Sequence, residues 1–170
     1  MIAIFQKHIG KTLISISLMG VFSLIILRKC NPPPQDINLA EITFTKEGTA
    51  SIFNANGKLL KVISIEIAET PAETQVGLMY REHMEPLQGM LFIFNQEEPR
   101  YFYMKNTIIP LDIIYLDKDL KVVSFHQNTT PMDESSLPSE VPAQYVLEIN
   151  AGLMEKWGIK KGSYISFSRD

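Results

Sequence analysis

Six polar residues stand where a β-rich chain could gather them: Arg81, Lys105, Asn106, Thr107, Asp112 and Glu148. Residues Arg100 to Lys105 alternate, so Arg100, Phe102 and Met104 face one way and Tyr101, Tyr103 and Lys105 the other. Lys105 should emerge at the strand's end, and Asn106 and Thr107 follow in a loop that offers an amide and a hydroxyl to a ligand. Asp112 opens the run Ile113-Ile114-Tyr115-Leu116, while Glu148 lies between Leu147 and Ile149 with Asn150 on its own face. A carboxylate in so apolar a run needs a cation, backbone donors or water, and Arg81 and Lys105 are the candidate cations. Two readings follow. In one, the six residues converge on a pocket that binds a small polar ligand, or that works by acid/base chemistry on a small polar or envelope-derived substrate through Asp112 and Glu148. In the other they form a structural network, with Asp112 capping the turn after Thr107 and Glu148 paired with Lys105 or Arg81 across two strands. Binding is expected ahead of catalysis, because no histidine, cysteine or metal motif accompanies the acids.

Methionine offers a rival chemistry. Met79, Met84, Met90, Met104, Met132 and Met154 share the folded part with His83 and His126, and thioethers are soft ligands for Cu(I). Core packing accounts more simply for Met79 and Met90, which sit among Leu78, Leu91 and Phe92, so no cofactor is expected. The sequence holds no GxGxxG, Walker loop, HExxH or GxSxG, which leaves nucleotide, zinc-protease and serine-hydrolase readings without support.

The elements that must position these residues are short β-rich runs broken by turn residues. Glu41–Thr45 and Thr49–Phe53 flank Lys46-Glu47-Gly48, and Asn56-Gly57 precedes a long run from Lys58 to Ile67, which reads as a three-strand meander. Thr70-Pro71-Ala72-Glu73 is a capping box with proline at the first helical position, and the apolar spacing after it predicts a helix from Pro71 to about Arg81. Gly77 inside that helix implies close approach of a strand. Strands are expected at Gly89–Phe94, Arg100–Lys105, Asp112–Leu116, Lys121–His126, Tyr145–Ile149 and Ser163–Ser168, with Asn150 capping a short helix that ends at Gly158. The expected fold class is α+β, a mainly antiparallel sheet with two short helices.

Thr12 to Leu27 is a charge-free run of 16 residues between Lys7/Lys11 and Arg28/Lys29, the plan of a signal or anchor. It is short for a span, although flanking cations can snorkel. No small-x-small cleavage site follows, and Arg28-Lys29 before Cys30 departs from what lipoprotein processing favours, so an uncleaved N-terminal membrane anchor helix is expected ahead of cleavage or lipidation at Cys30. The implied organisation is a signal/anchor segment at 1–30, a linker at 31–39 carrying Pro32-Pro33-Pro34, and one extracytoplasmic domain at 40–170. Four of the 16 basic residues precede position 31 and all 19 acidic ones follow it, leaving 12 basic against 19 acidic residues beyond the anchor. Such a balance repels phosphate backbones, so the membrane and a small ligand are the expected partners and nucleic acid is not. Cys30, the single cysteine, excludes a disulfide framework and a cysteine zinc site.

Gly77-Leu78-Met79-Tyr80-Arg81, Gly89-Met90-Leu91-Phe92-Ile93-Phe94, Met104-Lys105-Asn106-Thr107 with Pro110-Leu111-Asp112, and Tyr145-Val146-Leu147-Glu148 occur together in this order. In this the chain closely resembles domain-of-unknown-function family 192 over roughly residues 58–168. The resemblance implies a compact, β-rich, barrel-like fold with short helices, often behind a signal or single anchor, and no assigned activity. Tyr103 stands where the family often has tryptophan, and Ser163 where aspartate is common.

Overall fold

The computed structural model describes residues 42–170, so the apolar run Thr12–Leu27, Cys30 and the proline linker lie outside the described residues. No helix among the described residues is long and apolar enough to cross a membrane. The described residues form nine strands: β1 (Gly48–Phe53), β2 (Leu59–Ala68), β3 (Gln88–Glu98), β4 (Tyr101–Phe102), β5 (Leu111–Leu116), β6 (Val122–His126), β7 (Leu137–Pro138), β8 (Ala143–Asn150) and β9 (Tyr164–Arg169). Seven make one sheet in the order β6-β5-β8-β3-β2-β1-β9, and β4 pairs with β7 beside it. Within the large sheet only β2 and β3 run parallel, and the helix α1 (Pro71–Val76) lies in the crossover between them. The α+β architecture with two short helices is the expected one. The barrel-like closure is not: β6 and β9 meet through the single bridge Lys121–Tyr164 and a few turn hydrogen bonds, so the curled sheet stays open.

The expected meander is also replaced. Residues 42–47 form no strand, and β1 instead takes β2 on one side and β9 on the other, with Ala50 opposite Phe167 and Ile52 opposite Ile165. β9 pairs with β1 along all six residues of each strand and lays Ile165 and Phe167 beside Ile52 and Ala50 in one core cluster.

α1 starts as the capping box requires, the Thr70 hydroxyl accepting from Glu73 N–H at 3.2 Å and the Glu73 carboxylate from Thr70 N–H at 2.9 Å. It ends at Val76 rather than near Arg81. Gly77 turns the chain out of helical space at φ 48°, and a Cβ there would meet the Phe92 ring of β3 at 3.0 Å. The close approach inferred from Gly77 is therefore real, and the same glycine terminates the helix. α2 (Leu153–Trp157) ends at Gly158 in the left-handed conformation as expected, but Asn150 does not cap it. Asn150 is the last residue of β8, and its side-chain amide donates to Met84 O at 2.7 Å.

Alternation along the strands creates two cores, one on each face of the sheet. One face buries Ile52, Ile65, Leu91, Ile114, Leu147 and Ile165 against Leu153, Met154 and Ile159 around α2. The other buries Met90, Phe92, Ile113, Tyr115 and Val146 beneath Leu78, Met84, Met104 and Ile109, which come from the segments following α1 and β4. Met84, Met90 and Met104 are thus core side chains of one layer and Met154 of the other, and His83 is exposed with its ring 2.9 Å from Glu85. Packing accounts for the placement of these four methionines.

Candidate functional site

The second core is not fully covered. Between α1 and the β3–β4 connection the sheet is open in a cleft of about 270 Å³, with walls formed by Phe92, Phe94, Tyr101, Phe102 and Tyr103 and a rim that includes Val76 and Met79. Glu148 and Thr107 line it as well. Phe102 stands edge-on to Phe92, Phe94 and Tyr115 at centroid distances of 5.1, 6.4 and 5.9 Å, an arrangement that fixes the wall.

Glu148 sits in β8 opposite Met90 of β3 and Ile113 of β5, so its side chain belongs to the apolar face beneath the cleft. It is 5% exposed, and its carboxyl has no hydrogen-bond or ion-pair partner among the described residues. Burial alone pushes its pKa up to about 8, from 4.5. Tyr115, nearby on the same face, is also shifted upward, first by burial and then by the Glu148 charge. Its hydroxyl donates to Leu137 O at 2.6 Å. The pairing of Glu148 with Lys105 or Arg81 that a structural network would require is not formed.

Each of the other five residues has its own place. Thr107 is buried on the cleft wall, its hydroxyl donating to Lys105 O at 3.2 Å. Asn106 lies close by, where its side-chain amide donates to the Tyr80 hydroxyl at 2.7 Å and its carbonyl accepts from Tyr80 N–H at 2.8 Å. Both Asn106 and Tyr80 are left-handed, with φ 54° and 61°. Lys105 is exposed and lies 3.4 Å from Glu134, away from both acids. Arg81 is 3% exposed and pairs with Glu66 of β2 at 2.8 Å. Asp112 pairs in register with Ile149, so it points to the face opposite Glu148. There it is fully buried and accepts the N–H groups of Asn128 and Met154, each at 2.8 Å. Thr107 and Glu148 share the cleft, Asn106 supports its edge, and Arg81, Lys105 and Asp112 stand elsewhere. Asp112 and Glu148 cannot act as one acid/base pair across the thickness of the sheet.

Sequence reading passes over the aromatic walls and over Glu66. The run Tyr101-Phe102-Tyr103 carries a usable signal, because three consecutive aromatics in a short edge segment cannot all turn inward. Glu66 lies between Ile65 and Ile67 as Glu148 lies between Leu147 and Ile149, and that shared pattern marks both as buried acids. One differs from the other by its neighbour, since Glu66 also accepts Thr45 N–H at 2.9 Å. Among the described residues no group of three or more histidine, cysteine, aspartate or glutamate side chains is placed to hold a metal.

An open, curled, mostly antiparallel sheet with one βαβ crossover defines an α+β domain, and an aromatic cleft lies beneath the crossover helix. The chain belongs to the DUF192 family, described as an uncharacterized ACR, whose model matches residues 51–167. It is similar to a crystal structure from Sinorhizobium meliloti 1021, given as a candidate transcription regulator, at 35% identity and TM-score 0.69 over 75% of this chain and 97% of that one. It is also similar to a protein of unknown function from Novosphingobium aromaticivorans DSM 12444, at 38% identity and TM-score 0.65 over 69% of this chain and 83% of that one. No curated protein matches the sequence.

Proposed function

We propose that this protein is a membrane-tethered extracytoplasmic module that binds one small amphipathic molecule, its apolar body against Phe92, Phe94 and Phe102 and its polar end on Glu148 and Thr107. The observation that carries this reading is the unpartnered Glu148 carboxyl beneath an aromatic cleft. A buried carboxyl serving only the fold is normally held by a cation or by N–H donors, as Glu66 and Asp112 are here. Leaving one without a partner costs stability, and a ligand that completes it offsets that cost. The cleft lies just below the ~300 Å³ at which ordinary ligand pockets begin, which limits the occupant to about one ring with a short side chain. Its mainly apolar walls shift the expected ligand from a wholly polar molecule to one with a polar end.

The charge-free run Thr12–Leu27 between basic pairs supports the tether. The acidic excess of residues 31–170 weighs against a nucleic-acid partner for this chain, whatever the Sinorhizobium protein does.

The test is titration of the full-length chain with 2-phenylethanol, 2-phenylethylamine and 3-phenylpropionate, followed by ligand-observed NMR. At least one probe should bind, and Met79→Trp, which places an indole at the rim, should abolish it. Absence of binding by all three ends the proposal. For the tether, protease added to intact cells should degrade the domain while the chain remains in the membrane fraction, and protection of the domain would reverse the orientation.

A further inference from the structure

We infer that the cleft selects an organic ammonium ligand, a protonated amine on a small apolar body, with Glu148 as its counter-ion and the aromatic walls as its cage. This rests on the reading of the cleft as a ligand site and specifies the class of ligand.

The charge inventory around the cleft singles out Glu148. The other ionic group on its walls is Arg100, and that charge is already engaged. Its Nη1 donates to Glu98 at 2.7 Å, its Nε donates to Ala143 O at 3.0 Å and its Nη2 to Gln96 O, while the guanidinium lies 3.9 Å above the Phe94 ring. Among the described residues the groups around Glu148 carry no free positive charge. Met90 and Ile113 flank it on β3 and β5, and Tyr115 keeps its proton on Leu137 O. His126 of β6 is turned to Pro138 O, and Arg81 is bound to Glu66 on the far side of Met90. Tyr101 and Tyr103 complete the wall. A lone carboxylate accepts hydrogen bonds and attracts a cation, and aromatic faces reinforce the same preference. The Phe94–Arg100 stack shows that this wall accommodates a cation against a ring.

Proton accounting follows from the pairing. The amine arrives protonated and stays so, while Glu148, protonated before binding at neutral pH, releases its proton to solvent as the ion pair forms. A neutral alcohol instead leaves the Glu148 proton in place.

The experiment compares 2-phenylethylamine with its isostere 2-phenylethanol on the full-length chain by calorimetry, in buffers of different ionisation enthalpy at pH 6 to 9. The amine should bind about tenfold more tightly than the alcohol at pH 8.5, with the ratio shrinking toward pH 6. Amine binding at pH 7 should release about one proton. In Glu148→Gln, which removes the charge and keeps the shape, the preference should fall to within about twofold and the proton release should vanish. An alcohol that binds as well as the amine, or a preference that survives Glu148→Gln, overturns the ammonium assignment while leaving a ligand cleft intact. Preferential binding of 3-phenylpropionate does the same and transfers the polar role to Arg100. Failure of every probe removes both readings together.

Discussion

The Asp112 carboxylate caps a helix 42 residues away: one oxygen accepts Met154 N–H in the first turn of α2 at 2.8 Å, and the other accepts Asn128 N–H at the same distance. The favourable location of an anion at a helix N-terminus gives this contact a second source of stability. Gly152, at the cap position itself, has no side chain to do this work, so the acid from β5 substitutes for a local cap. We expect Asp112→Ala to lose ~3 kcal/mol in urea unfolding, since two charge-assisted bonds go and the buried Met154 N–H is left without a partner. Lys105→Met should show less than ~0.5 kcal/mol coupling to it, because Lys105 lies at the surface beside Glu134.

Glu148 sets a pH dependence of the opposite sign from that of a salt-bridged acid. Its carboxyl titrates near 4.5 when unfolded and at about 8 when folded, so the folded chain holds an extra proton between those values. Its contribution to stability is full below about pH 4.5 and is lost as pH rises through about 8, with a slope of up to ~1.4 kcal/mol per pH unit. Urea midpoints at pH 5.5 and 7.5 should therefore drop for the wild type relative to Glu148→Gln. Equal pH slopes in the two proteins would show that the carboxyl ionises normally in the folded state.

The Glu66–Arg81 pair makes the structural counterpart. Arg81→Met leaves a buried carboxylate without its cation and should cost ~3 to 5 kcal/mol, while Glu66→Gln combined with Arg81→Met should recover much of that loss. Two guanidinium nitrogens of Arg81, Nε and Nη1, have no hydrogen-bond partner, which adds to the recovery when the charge is removed. Additive single and double variants would contradict the pairing.

Gly77→Ala tests the end of α1. A Cβ at φ 48° and 3.0 Å from Phe92 Cζ should cost ~1 to 3 kcal/mol by thermal unfolding. Phe92→Leu in the same chain should relieve the steric share and leave the backbone share. Met90→Leu, near-isosteric in the second core, should cost less than ~1.5 kcal/mol.

Local chemistry made several features legible in the sequence. The capping box at Thr70–Glu73, the glycine stop at Gly158 and most of the period-two strands depend on near neighbours and formed where the residues placed them, but residues 42–47 formed no strand and the Arg100–Lys105 run kept only Tyr101–Phe102 as strand. The acids in apolar runs also identified themselves as buried, because burial follows from strand alternation. Their partners did not, since a side chain's counterpart comes from whichever strand the fold lays beside it. The pairing of β1 with β9, the open curl of the sheet and the shortening of α1 at Phe92 all depend on contacts far apart in sequence. Asp112 and Glu148 look alike in the sequence, each a carboxylate beside isoleucines. One residue of register on adjacent antiparallel strands sends them to opposite faces, where one meets the N–H groups of Asn128 and Met154 and the other meets an aromatic cleft with nothing to bind it.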